Sequence, residues 1–72
     1  MENRRATYDL IHLLEVCGIE LPTQVEILKI LSTEKERKIL LDYLMQQPAM
    51  LPPKLLIMVA KWAKKQADEM EK

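Results

Sequence analysis

Apolar residues recur along this chain at the three- and four-residue spacing of helices, and no stretch alternates apolar and polar positions as a half-buried strand does. The predicted fold class is therefore all-α: a compact four-helix domain with helices at about 4–17, 23–31, 33–47 and 53–70, packed as an orthogonal or irregular bundle. In the first helix Ala6, Leu10, Leu13, Leu14 and Cys17 share a stripe. Arg4, Tyr8, His12 and Glu15 form its opposite face, and Gly18 is placed to stop it in a left-handed turn. The second helix is expected to open at Thr23, where Thr-Gln-Val-Glu has the spacing of a capping box closed by Glu26. Because Val25, Ile27, Leu28, Ile30 and Leu31 leave few polar positions in it, this helix is expected to be central to the core.

Thr33 and Glu36 repeat the capping-box spacing at the start of the third helix, whose core stripe is Ile39, Leu40, Tyr43 and Leu44. Glu34 and Lys38 are spaced for an i,i+4 ion pair, and Leu41 and Met45 widen the apolar surface enough to need a neighbour. Residues 46–53, with Pro48, Pro52 and Pro53, form the one clear loop. Pro53 suits a first helical turn, and with Pro52 as cap Leu51 and Leu56 have the spacing of a hydrophobic staple. The fourth helix is expected to bury Leu55, Leu56, Val59, Trp62, Ala63 and Met70, with Trp62 as the anchor of the core. Asp68, Glu69 and Glu71 oppose the dipole at its C-terminus, so residues of about 70–72 are expected to fray.

Length and composition set the scale. Seventy-two residues make a single helical domain, 1–72, with little net stability after chain entropy and with one cysteine and no ligand cluster to staple it. Self-association as a homodimer is accordingly an expectation, with Leu41 and Met45 as its surface. Eleven basic and eleven acidic residues cancel, which argues against the broad positive field of a non-specific nucleic-acid binder. The charges are nonetheless segregated. Residues 6–34 carry five acids against Lys29 alone, whereas residues 54–65 carry Lys54, Lys61, Lys64 and Lys65 and no acid. The lone Cys17 excludes an intramolecular disulfide, and the Met-Glu-Asn-Arg-Arg-Ala start lacks the apolar core of a secretion signal, so a reducing cytoplasm is the expected compartment. The longest apolar run, Leu55 to Ala60, is six residues, far short of the ~20 needed for a membrane span.

Catalysis finds little material. His12 is the single histidine and lies three residues from both Asp9 and Glu15, but on a charged face where solvated side chains are the default, and one Asp-x-x-His does not make a metal site. Cys17 reads as a small core residue with no base beside it, and one glycine cannot build a phosphate cradle. No enzyme activity, cofactor or metal is expected.

Binding is the remaining class. Helices two and three have the lengths of a helix-turn-helix, over residues 23–47, and Lys35, Arg37 and Lys38 stand where such a motif meets base edges. Glu34 and Glu36 interleave with them, and no further base-reading side chain follows, which makes DNA binding the alternative rather than the main reading. Residues 54–65 also resemble a basic amphipathic helix on anionic lipid, although the same apolar face is needed by the core. The main expectation is a small non-catalytic protein–protein interaction module, a regulator, adaptor or inhibitor. Ile57, Met58, Lys61 and Lys64 are its candidate partner-binding residues, with Met50 and Leu51 in the adjoining loop, and its partner carries an acidic surface.

Overall fold

The computed structural model describes residues 4–70, in which four helices follow one another: α1 (Arg5–Val16), α2 (Leu21–Ile30), α3 (Glu34–Met45) and α4 (Pro53–Met70). α3 packs on both α1 and α4, and α2 packs on α4, so α3 and α4 form the middle of an all-α domain with a helix on either side. The core is aliphatic. Leu10 and Leu14 from α1, Ile27 from α2, Leu31 just beyond it, Leu40 from α3 and Leu56 from α4 are fully buried, each contributing about 1.5–3 kcal/mol of transfer free energy.

Local chemistry explains most of the helix ends. α1 stops where Gly18 takes φ 79, a left-handed conformation that an L side chain rarely adopts. There the Gly18 amide donates to the Glu15 carbonyl at 3.0 Å and the Ile19 amide to the Leu14 carbonyl at 2.9 Å, the two bonds of a Schellman turn. α3 opens with its capping box in place: the Glu36 amide donates to Thr33 Oγ1 at 3.2 Å, and the Thr33 amide returns to Glu36 Oε1 at 3.3 Å. α4 begins at Pro53, with the Leu56 amide donating to the Pro52 carbonyl at 2.9 Å.

Several expectations are corrected. α2 starts at Leu21, not Thr23, because Pro22 is accommodated in the first turn; Glu20 supplies the first carbonyl and no side-chain cap forms at Thr23. Nor is α2 covered on most sides: its main packing is on α4, and Leu21 and Val25 are exposed. Cys17 is exposed, because the helix has ended at Val16 and the cysteine lies in the turn. α3 ends at Met45 rather than about residue 47.

The largest departure is in α4. Its buried stripe is Leu56, Ala60, Ala63 and Ala67, one leucine followed by three alanines. That stripe rotates Leu55, Trp62 and Met70 outward, so Trp62 is 43% exposed and meets Tyr43 at the edge of the core, with ring centroids 5.4 Å apart. Met70 still closes the helix, and the expected fraying of residues 71 and 72 lies outside the described residues. Among the described residues no helix is long and apolar enough to cross a membrane.

Candidate protein-docking site

The charged first turn of α3, which the sequence offers as a DNA-reading edge, is tied to the rest of the fold. Glu34 reaches away from its own helix to the start of α1, accepting from the Ala6 amide at 2.7 Å, the Thr7 amide at 3.2 Å and the Thr7 hydroxyl. α1 has no side-chain cap of its own at Arg4, so this carboxylate does that work from another helix. Partial burial pushes the Glu34 carboxyl up. The Thr7 hydroxyl, the Ala6 and Thr7 amides and the Arg37 charge outweigh that effect and hold it below its ordinary value of 4.5.

Arg37 donates through Nε to the Leu31 carbonyl at 2.6 Å, through Nη2 to the Leu28 carbonyl at 3.1 Å and through Nη1 to Thr7 Oγ1 at 3.2 Å. It thereby satisfies open carbonyls at the end of α2 while touching α1. Glu36 is buried, accepts from the Ser32 amide at 2.8 Å, and has Lys64 of α4 at 3.8 Å. Lys38 pairs with Asp42 at 3.2 Å, replacing the expected pair with Glu34, whose carboxylate is turned to α1. Of the three residues of the DNA alternative, Arg37 is thus engaged internally, Lys38 is paired along its own helix, and Lys35 is exposed.

α4 has a second apolar stripe. Leu55, Met58 and Trp62, spaced i, i+3, i+7, are 46%, 64% and 43% exposed, on the side turned away from Leu56, Ala60 and Ala63. Exposed Lys54, Lys61 and Lys65 run beside them, and no acid occurs between residues 54 and 67. The partner-binding residues expected from sequence therefore divide. Met58 and Lys61 belong to this open face. Ile57 is half-buried and packs, with Met50 and Leu51, against the core, and Lys64 leans toward Glu36. Leu55 and Trp62, expected in the core, belong to the open face. Their i, i+3, i+7 spacing with Met58 was the available signal, but an equally regular stripe through Leu56 competes with it.

A groove separates α1 from α3. The two helices run in the same direction, with Ala6 and Glu34 at one end and Leu13, Val16, Leu41 and Met45 lining the other. The apolar end holds a depression of about 280 Å³ bordered also by Asp9 and His12. Leu41, expected on an open surface, is 8% exposed because α1 covers it, whereas Met45 is 70% exposed. His12 sits on the rim in solvent, and among the described residues no three His, Cys, Asp or Glu side chains converge in a way that suits a metal ion.

Compared with known protein families, curated proteins and solved structures, the chain matches no family, no curated protein and no solved structure.

Proposed function

We propose that this chain is a non-catalytic docking module, a regulator or adaptor that captures an acidic amphipathic helix of a partner protein on the outer face of α4. One observation carries the reading: α4 buries one stripe in its own core and presents a second, Leu55, Met58 and Trp62, to solvent beside Lys54, Lys61 and Lys65. Three large apolar side chains on consecutive turns match the anchors of a helix laid against a helix, and methionine adapts to irregular contours. The lysines favour acids on the partner and disfavour basic surfaces, including a second copy of the same face. The DNA alternative gains nothing comparable, since Arg37 is held by the Leu28 and Leu31 carbonyls.

Trp62 reports on this face directly. Titration with a synthetic leucine- and glutamate-rich helical peptide is expected to move Trp62 emission to shorter wavelength, and Met58→Glu is expected to weaken the response at least about tenfold without loss of helicity. A response to anionic vesicles but not to the peptide would replace the protein partner with a lipid surface. No response to either would overturn the reading.

A further inference from the structure

The stripe on the outer face of α4 does not end at Trp62. Continued at the same alternation of three and four residues, Leu55, Met58 and Trp62 are followed by Lys65 and Glu69, and all five are exposed. A second line, Lys54, Lys61 and Asp68, runs beside it at intervals of seven residues and is exposed throughout. Both lines change character at the same height. Over residues 54–65 the face is apolar and cationic, whereas at Asp68 and Glu69, in the last turn of the helix, it is acidic.

The order of these charges runs against the helix's own dipole, whose positive end lies at Pro53 and whose negative end lies at Met70. Lys54 at the positive end and Asp68 with Glu69 at the negative end add to the two poles instead of offsetting them. A partner is therefore sorted by its charge order as well as by its net charge. An anionic lipid surface has one sign throughout and meets Asp68 and Glu69 unfavourably. A second copy of α4 laid antiparallel fails in another way. The register that sets Lys54 opposite Glu69 also sets Leu55 opposite Asp68 and Met58 opposite Lys65. The register that joins Leu55 to Trp62 leaves Asp68 and Glu69 beyond the start of the opposing helix and brings the lysine flanks together.

Resting on the docking reading of this face, we infer that the partner helix lies antiparallel to α4, carries its acids and apolar anchors along its C-terminal part and is basic in its N-terminal turn. In that orientation its C-terminal pole, negative by dipole and by side chain, lies over Lys54 and Lys61, and its basic turn lies over Asp68 and Glu69. Its apolar anchors then fall opposite Leu55, Met58 and Trp62. A parallel partner brings like dipole poles together at both ends. The stripe from Leu55 to Glu69 rises about 21 Å, so the bound segment is about four turns long.

Two four-turn peptides of identical composition test this, each held helical by a hydrocarbon cross-link on the side away from α4 so that helix formation does not decide the outcome. One has lysines in its first turn and leucines with glutamates after it; the other has the same residues in reverse order. Followed by Trp62 emission on the full chain, the first is expected to bind at least about fivefold more tightly than the second. A spin label at its C-terminus is expected to broaden the amide signals of Leu55 and Leu56, and one at its N-terminus those of Ala67 to Glu69. Asp68→Lys combined with Glu69→Lys, exposed changes that suit the end of a helix, is expected to weaken the first peptide at least about threefold. Equal binding of the two peptides, the opposite broadening pattern, or indifference to the double substitution would overturn this inference while leaving the docking face in place. If neither peptide moves Trp62 emission, the docking reading itself fails, and this inference with it.

Discussion

Removing the Glu34 carboxylate tests whether a side chain of α3 holds the start of α1. In Glu34→Ala the Ala6 and Thr7 amides, bonded at 2.7 and 3.2 Å, and the Thr7 hydroxyl lose their acceptor together. A helix cap is worth about 1 kcal/mol, and a hydrogen bond to a charged group about 1.5–3 kcal/mol. The contributions overlap, and the carboxyl is only partly shielded from water, so a loss of about 2 kcal/mol is expected. For a domain of this size that lowers the thermal midpoint by about 8–16 °C, read by circular dichroism at a helical wavelength. Glu34 also sits favourably in the first turn of α3, an effect of about 0.3–1 kcal/mol that a double-mutant cycle with Thr7→Ala removes, leaving a coupling of at least about 1 kcal/mol.

Acidity gives an independent reading of the same contact. The folded-state value of Glu34 lies below 4.5, so its stabilisation is complete above that pH and disappears as the pH falls through the folded value. Glu34→Gln is therefore expected to lose less stability than the parent on acidification below about pH 4.5. A Glu34→Ala midpoint within about 2 °C of the parent, with an unchanged acid limb, would refute the assignment of this carboxylate as the cap of α1.

Two further outcomes follow from the helix ends and the helix contacts. Gly18 has open space around the position a Cβ would occupy, so Gly18→Ala is expected to cost about 1–2 kcal/mol from backbone strain at φ +79 alone, measured by urea unfolding with an unchanged m-value. Ala60 is fully buried in the small-residue stripe of α4, and Ala60→Leu is expected to destabilise by about 1–3 kcal/mol through overpacking, whereas the same change at an exposed α4 position such as Lys61 is expected to be nearly neutral.

How legible the molecule is from its sequence depends on how local each cause is. The α3 capping box, the Gly18 stop and the Pro53 start were readable because the residues responsible lie within a few positions of the feature. Pro22 was a readable signal too, but Thr23 with Glu26 offered a competing cap. The role of Glu34 was not readable: by spacing it belongs with Lys38, and only the meeting of α1 and α3 gives it Ala6 and Thr7 instead. The exposure of Trp62 is hidden in the sequence for a related reason. Large apolar residues are the natural core candidates, yet in α4 the alanines are the buried positions and Trp62 is turned to the edge of the core. At the candidate site, Met58 and Lys61 follow from periodicity, whereas the burial of Ile57 and the exposure of Leu55 depend on which of two apolar stripes the other helices select.

Within four residues at the start of α3, Glu34 holds α1, Glu36 lies beside Lys64 of α4, and Arg37 holds the end of α2. Such an arrangement shapes how the domain opens. A helix held only by side-chain burial can fray from its tip independently, but here the tips of α1 and α2 are bonded to the same short segment, so releasing either disturbs groups that support the other. Hydrogen exchange at this end is therefore expected to be coupled into one cooperative unit. The low-energy fluctuations belong at the opposite end, where Val16, Met45 and the loop from Gln46 to Pro52 lie, and where the groove opens to solvent. One end of the molecule acts as a fixed joint, and the opposite end is left adjustable.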